Sequence, residues 1–475
     1  MAPPDDAPGR PARDAPAVRP GTAAAALGTQ PVGRLLWHAC SQTTLSVGVY
    51  GIYALTNAWF VARGVGATAV AAVNLVAPVL LGLGAVSTAV GVGGASLVSR
   101  ALGAGRTERA AVAAGNAFAV FWAAALATTV GGLLLLDPLL ALLGVDAATH
   151  DLARDYAVVL LAGAAVSTGF SSLVRAEGRM RFSTMLWVVP VVVQIVLDPL
   201  FIYGMHLGVR GAALGTVGGQ AVSAGMSVWF FFVQRGRPYR VGLRELRPRA
   251  AVVRALFGVG APSFLAGFGA TLLTVLVNTS LSHAGGAAGG AVALAAYAVC
   301  ARLQTFATMP QVGISQGLQP VVGYNAGAGL RARVGRARTL ALRSTVVYSV
   351  AVAVVLVALA RPLVGVFVDA PAVVDTGADA LRVLAVGIAA AGVAPLVSAY
   401  FQAIGRPRPS YVISLGTLLV LKVPLVVVLG RLGVIQTWVA LAAGEAAAAA
   451  VALVVLRRLV GRDAAAARQT SVVPS

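Results

Sequence analysis

Charge is what this chain has least of. Only 11% of its 475 residues are Asp, Glu, Lys or Arg, too few to coat a water-facing surface around so long a chain. Lysine occurs once, at position 422, and cysteine twice, at Cys40 and Cys300. Two isolated cysteines within or beside apolar stretches exclude a disulfide framework and a thiolate metal cluster, and read as packing residues. The four histidines, His38, His150, His206 and His283, show no metal-ligand spacing. No Gly-rich stretch ends in the Gly-Lys-Ser/Thr that would hold a triphosphate, which disfavours an ATP-driven pump. No Ser/His/Asp or paired-acid set supports an enzyme, and no cofactor is expected. Residues 1–32 lack the compact basic, apolar and cleavage regions of a secretory signal, and their Ala, Pro, Asp and Arg content predicts a disordered cytoplasmic tail.

Hydrophobic residues make up 58% of the chain, and the mean hydropathy is +0.86. Apolar runs of roughly 20 residues recur throughout, each long enough at about 1.5 Å per residue to cross a hydrocarbon core of about 30 Å. The pattern predicts an all-α polytopic membrane protein and excludes a barrel. Helices are expected at about 33–60, 68–97, 109–135, 152–174, 183–204 and 211–234, then at about 255–282, 291–317, 340–360, 380–404, 409–430 and 433–457.

The net charge of +20 would suggest nucleic acid in a soluble protein, but here the arginines fall in short loops between apolar segments. On a twelve-span alternation 28 basic residues lie on the side of the termini and six on the other. That asymmetry places both termini in the cytoplasm, with the protein in the cytoplasmic (inner) membrane.

Local patterns repeat at a spacing of about 224 residues. Val70-Ala-Ala72 is echoed by Leu294-Ala-Ala296, Val145-Asp-Ala147 by Val368-Asp-Ala370, and Ala176-Glu-Gly-Arg-Met-Arg181 by Ala403-Ile-Gly-Arg-Pro-Arg408. Six helices precede the repeat, so the halves are parallel, related by an axis along the membrane normal. The expected organisation is a lobe over 33–234, a basic cytoplasmic linker over 235–254, a second six-helix lobe over 255–457 and a cytoplasmic tail over 458–475.

An acid buried mid-span is expensive, and therefore functional by default. Asp198, inside an otherwise apolar helix, is the leading candidate for a group that binds and releases a proton as its surroundings change; the alternative is a cap on a Pro-loosened helix. Glu445 suits either coupling in the second lobe or a structural hydrogen bond. Arg302 and Lys422 suit pairing, substrate contact or snorkelling. Gln316, Gln319, Tyr324 and Asn325, beside a Pro-Gly break at the cytoplasmic end of the eighth helix, fit an inner gate or a loop cap. Phe306, Met309 and Gln311 fit a cavity lining or lipid-facing packing.

Several blocks resemble those of the multidrug and toxic compound extrusion family. They are Asn57-Ala-Trp-Phe-Val-Ala-Arg-Gly-Val-Gly66 with Ala71-Ala72, Ser99-Arg-Ala-Leu-Gly103-Ala-Gly105, Val196-Leu-Asp198-Pro-Leu-Phe-Ile202, and Gly208-Val-Arg-Gly211-Ala-Ala-Leu-Gly-Thr216. In the second half, Gly313-Ile-Ser-Gln-Gly-Leu-Gln-Pro320 and Gly323-Tyr-Asn-Ala-Gly-Ala328 complete the set. The resemblance runs in order from about residue 33 to 457 and is nearest the bacterial and archaeal branch with a cation site in the N-terminal lobe. It implies an antiporter exporting organic cations or amphipathic drugs by alternating access of two lobes. It also implies a cation site at Asn57, Gln194, Asp198 and Thr216. Asn57 stands where the family usually has Asp, and Gln194 where it has Asn. With one carboxylate a bound Na⁺ is less well neutralised, so H⁺ is the expected coupling ion; Na⁺, or a divergent, weakly coupled protein, is the alternative. The expected partners are the bilayer and a small amphipathic substrate, with no nucleic acid, and the unit is a monomer. Rival readings are a lipid-linked precursor or polysaccharide flippase of the same superfamily, and a non-transporting membrane scaffold or receptor.

Overall fold

The computed structural model describes residues 22–143, 145–147, 149–166, 170–284 and 286–470, and every regular element among them is helical. A short helix α1 (Ala23–Thr29) precedes α2 (Val32–Gly64), α3 (Ala67–Gly103), α4 (Thr107–Leu134) and the short α5 (Leu136–Leu142). Helices α6 (His150–Ala162) and α7 (Ser171–Ala176) share one span, followed by α8 (Met180–Pro199) and α9 (Gly208–Val228). The second lobe comprises α10 (Ala250–Ala284), α11 (Gly286–Gly327), α12 (Arg331–Ala358) and the short α13 (Ala360–Gly365). After these come α14 (Pro371–Ala391) with α15 (Val393–Ala403), α16 (Pro407–Tyr411) with α17 (Val423–Gly430), and α18 (Val434–Thr470). Eleven spans among the described residues are long and apolar enough to cross a membrane. The 33-residue α2 is long enough, at about 1.5 Å per residue, to make a twelfth.

The internal repeat extends to backbone detail. Gly105 and Gly329, 224 residues apart, both have φ +72°, and Gly178 and Gly405, 227 apart, have φ +80° and +77°. Each reverses the chain at the end of a helix, in a conformation only glycine adopts without strain. Behind the second pair, Ser183 Oγ donates to Ser171 O at 3.0 Å and Ser410 Oγ to Ser398 O at 2.8 Å.

Without water there is no hydrophobic force between helices in lipid, so close packing must hold the lobes together. Small residues supply it. A methyl added at Gly103 on α3 would lie 1.9 Å from Tyr324 O on α11, and one at Gly260 on α10 would lie 1.9 Å from Ala89 O on α3. Gly313 and Gly317 of α11 press on Thr44 and Cys40 of α2 in the same way. One apolar core, containing Val98, Leu102, Leu318 and Val322, runs through both lobes at the arginine-rich end. Toward the other end each lobe has its own core, around Tyr156 in the first and Trp438 in the second. The lobes are therefore joined at the arginine-rich end and part toward the other.

The structure corrects four expectations. Residues 23–29, expected as tail, form α1, with Ala24 and Leu27 buried. It is fastened by Asn325 Nδ2 donating to Leu27 O at 2.9 Å and by Arg333 donating to Gln30 O at 2.6 Å; residues 1–21 lie outside the described part. The eighth transmembrane helix does not stop near 317 but continues as α11 through Pro320 to Gly327, since one proline removes one backbone donor and close packing on α3 holds the remaining turns. Residues 458–470 continue α18, where Arg406 Nη1 reaches Asp463 at 2.7 Å; residues 471–475 lie outside the described part. The linker, expected over 235–254, ends at 249, and α10 begins at Ala250.

Arg237 enters the first lobe and pairs with Glu177, both side chains being at most 1% exposed. Its Nη1 donates to Phe231 O at 2.7 Å, and its guanidinium lies 4.6, 4.4 and 4.8 Å from the rings of Phe230, Phe231 and Tyr239. Further along, Asn116 Nδ2 donates to Glu245 O at 3.1 Å and its Oδ1 accepts from Arg249 N at 2.6 Å. The linker thus belongs to the first lobe up to Arg249. Arg237→Ala leaves Glu177 as an uncompensated buried charge and is expected to cost about 3–5 kcal/mol. Thermal unfolding of the detergent-solubilised protein should show a large drop for Arg237→Ala and a smaller one when Glu177→Gln and Arg237→Gln are combined.

Candidate ion-coupling site

Proline sets the geometry around Asp198. Pro190 and Pro199 both lie within α8, and a π-helical turn, Leu200–Gly204, follows Pro199 directly. The missing donor at Pro199 loosens the backbone ladder where Asp198 projects, and such wide turns are frequent at functional sites. Gln194 and Asp198, four residues apart, share the face of α8 that packs on α9.

All four residues implied by the family resemblance converge. Asn57 Nδ2 on α2 and Gln194 Nε2 on α8 each donate to Asp198 Oδ2 at 3.3 Å. Gln194 Nε2 also reaches Thr216 Oγ1 on α9 at 3.3 Å, and that hydroxyl donates to Ala212 O at 3.1 Å. Asp198 is 1% exposed. Its second oxygen, Oδ1, is buried and accepts no hydrogen bond among the described residues. The arrangement holds one carboxylate oxygen with two amide donors and leaves the other free for a proton or a small cation. Among the described residues no counter-cation joins it, and the three neighbours are neutral.

Glycine makes room for this. A Cβ at Gly215 of α9 would stand 1.9 Å from Asp198 Oδ1, and one at Gly219 would stand 2.7 Å from Pro190 O. The second lobe repeats the scaffold without the chemistry. Leu207-Gly-Val209 and Pro199 recur 225 residues later as Leu432-Gly-Val434 and Pro424, which places Val423 where the first lobe has Asp198.

The other candidate residues divide. Glu445 of α18 and Lys422, at the end of a π-helical turn, form an ion pair of 2.5 Å within the second lobe, their side chains 22% and 20% exposed. Arg302 does not join them; it is exposed on α11, on the helix face that carries Phe306, Met309 and Gly313. Phe306 and Met309 lie against Gly51 of α2, where the lobes meet. Gln311 does not line a cavity as expected: it is buried inside the second lobe, donating to Ser349 Oγ at 2.8 Å and Ile388 O at 3.4 Å.

Gln316 does take part in closing the arginine-rich end, accepting from Arg175 Nη2 across the lobe boundary at 3.2 Å. Tyr324 backs onto Gly28 and, through its carbonyl, onto Gly103, while Asn325 ties α1 to α11. Gln319 is partly buried on the same stretch. Sequence reasoning missed the hydroxyl groups that complete the closure. Thr43 Oγ1 donates to Gly313 O at 2.5 Å and Ser96 Oγ to Gln402 O at 2.6 Å. It also read Arg175 only as a topology charge, although it is buried and donates to Ser183 Oγ and Ser172 Oγ. The signal available was the run of hydroxyl residues in α2 beside the Gly-rich α11 block.

The sequence model of the MatE family matches residues 44–200 and again 262–428, one copy in each lobe. The chain is 25% identical over 403 residues to a FAD transporter of Shewanella oneidensis, covering 83% of this chain and 87% of that protein. It is 26% identical over 380 residues to the multidrug export protein MepA of Staphylococcus haemolyticus, covering 78% and 81%. Among solved structures, a MATE protein in the bent conformation superposes with a TM-score of 0.86 at 25% identity, covering 95% of this chain and 99% of the other. A MOP superfamily transporter from Pyrococcus furiosus, described as having a binding pocket of reverse polarity, superposes with a TM-score of 0.84 at 26% identity, covering 91% and 97%.

Gly215→Ala should push the Asp198 carboxylate out of its place and abolish whatever exchange it supports. Gly225→Ala, on the same helix with open space around it, should be neutral or slightly stabilising. Transport assays at matched membrane expression, with thermal unfolding as a folding control, compare the two.

Proposed function

Because this chain belongs to the MatE family, we propose that it is a secondary-active antiporter, exporting organic cations or other amphipathic small molecules in exchange for H⁺. Its likeness to multidrug export proteins over most of its length makes it a membrane transporter of the multidrug-efflux kind. The carrying observation for the coupling step is the free, buried Oδ1 of Asp198 within a neutral cage of Asn57, Gln194 and Thr216. A single carboxylate with no cationic partner can take up one proton and become neutral, whereas a hard cation such as Na⁺ needs several oxygen ligands, and Asn57 and Gln194 turn amide donors toward the site. The site lies within one chain, which supports a monomer as the working unit.

The basic-residue asymmetry supports placing the arginine-rich end, with both termini, in the cytoplasm of a cell whose inner membrane holds the protein. The lobes then meet on the cytoplasmic side. Proton entry from outside at Asp198, followed by rocking of the lobes and release inside, would draw about 2.3 kcal/mol per charge for each 100 mV of membrane potential. The flippase reading needs a more cationic cleft. Of the two cations that the sequence places mid-span, Lys422 is already neutralised by Glu445, which leaves Arg302 to serve it.

In cells lacking their major efflux pumps, the wild-type protein should lower ethidium accumulation, a protonophore should abolish the effect, and Asp198→Asn should accumulate dye like the empty vector. Normal export by Asp198→Asn would remove the coupling assignment. No export by well-expressed wild type would remove the substrate class. Asn57→Asp supplies the second carboxylate and should make residual export dependent on added Na⁺, measured as dye efflux from vesicles with and without NaCl.

A further inference from the structure

Outside the coupling site, a groove of about 580 Å³ lies on the side of the bundle. It lies at the seam between the lobes: Gly33, Trp37, Ser41 and Leu45 of α2 form one wall, and Ile314 of α11 with Leu340 of α12 form the other. Its walls are mostly apolar, its size falls within the range of ligand sites, about 300–1,000 Å³, and Trp37 stands on its rim 78% exposed. From Gly33 to Leu45 the groove follows α2 for about 18 Å at 1.5 Å per residue. That is close to half of a 30 Å hydrocarbon core, the depth of one leaflet.

Charge gathers at the end where α2 and α12 begin, with Arg343 further along α12 also exposed. Arg34 is on the same face of α2 as Ser41 and Leu45, and Arg336 is one turn before Leu340 on the groove face of α12. Both are exposed, and neither has an ion-pair partner among the described residues. Arg333, on the same face, is held in place by Asn325 Oδ1 at 2.8 Å and Gln30 O at 2.6 Å. The first turn of α2 starts beside them at Val32, with no side chain capping its backbone donors. An apolar slot one leaflet deep, with unpaired arginines and free backbone donors at its interfacial mouth, matches a phospholipid whose headgroup carries net negative charge.

We propose that this groove is a binding site for an anionic phospholipid, one acyl chain lying along α2 and the headgroup phosphate held by Arg34 and Arg336. Because the walls come from both lobes, the lipid holds together the arrangement in which α2 packs on α11. It shifts the transporter toward the state closed at the arginine-rich end, by as much as its affinity differs between states.

Trp37 reports occupancy directly. The purified protein is reconstituted in phosphatidylcholine nanodiscs doped with a small fraction of phosphatidylglycerol brominated on its acyl chains, or with brominated phosphatidylcholine. The fluorescence quenched at Trp37 is the difference between wild type and Trp37→Phe. Brominated phosphatidylglycerol should quench that component at a much lower mole fraction, a preference of about five-fold for each arginine at the headgroup. Combining Arg34→Gln with Arg336→Gln should remove the preference while Arg34→Lys with Arg336→Lys retains it, with thermal unfolding confirming intact folds. Equal quenching by the two lipids in wild type, or a preference that survives the double Gln variant, overturns the proposal. So does a Trp37 signal indifferent to both lipids but quenched by ethidium, which would make the groove a substrate portal.

Discussion

A polar group that enters hydrocarbon has no water to fall back on, and must be satisfied inside the fold or kept for function. Most of this chain obeys the first option. Its backbone is wound into helices, its hydroxyl side chains bond carbonyls one turn back or across a helix contact, as Thr43 does to Gly313, and most of its arginines gather at one end of the bundle. Against that background the exceptions are few and informative. Asp198 keeps one oxygen free in a buried, neutral cage, and Arg302 stays exposed on the lobe-facing side of α11.

The same constraint explains how the two lobes are held. Apolar side chains gain little by leaving lipid for one another, so the lobes adhere where backbones come close and hydroxyls can bridge them. Gly93, Gly103, Gly260, Gly313, Gly317 and Gly327 provide the close approaches, Ser96 and Thr43 the bridges. All gather in the half of the bundle that carries the arginines. The linker, latched by Arg237 in its aromatic and acidic pocket, moves with the first lobe, leaving the junction at Ala250 as the covalent pivot.

Duplication built two similar lobes, and chemistry distinguished them. The turns at Gly178 and Gly405 and the serine pairs behind them remain superimposable in kind. Position 198 carries a carboxylate in one lobe, and its counterpart, Val423, an isopropyl group in the other. The ionised pair of the second lobe, Lys422 with Glu445, compensates its own charge, whereas the first lobe leaves its carboxylate uncompensated. The symmetric frame thus carries an asymmetric polar site, with the uncompensated carboxylate confined to one lobe.

Much of this was written in the sequence, because hydrophobic runs and glycine punctuation are local properties. Twelve spans, two parallel lobes and the membership of Asn57, Gln194, Asp198 and Thr216 in one site could all be read from patterns that survive without coordinates. The limits were equally physical. A proline such as Pro320 ends a helix only if nothing packs against the turns beyond it. A basic linker is free only if no pocket of opposite charge accepts it, and Lys422 seeks a partner that is 23 residues away in sequence and next to it in space. The pairing of Arg175 with Gln316, the docking of α1 and the groove along α2 are relations between helices remote in the chain. Only tertiary packing decided them, since in a bilayer the strength of a polar contact depends on which surfaces are brought together to exclude both water and lipid.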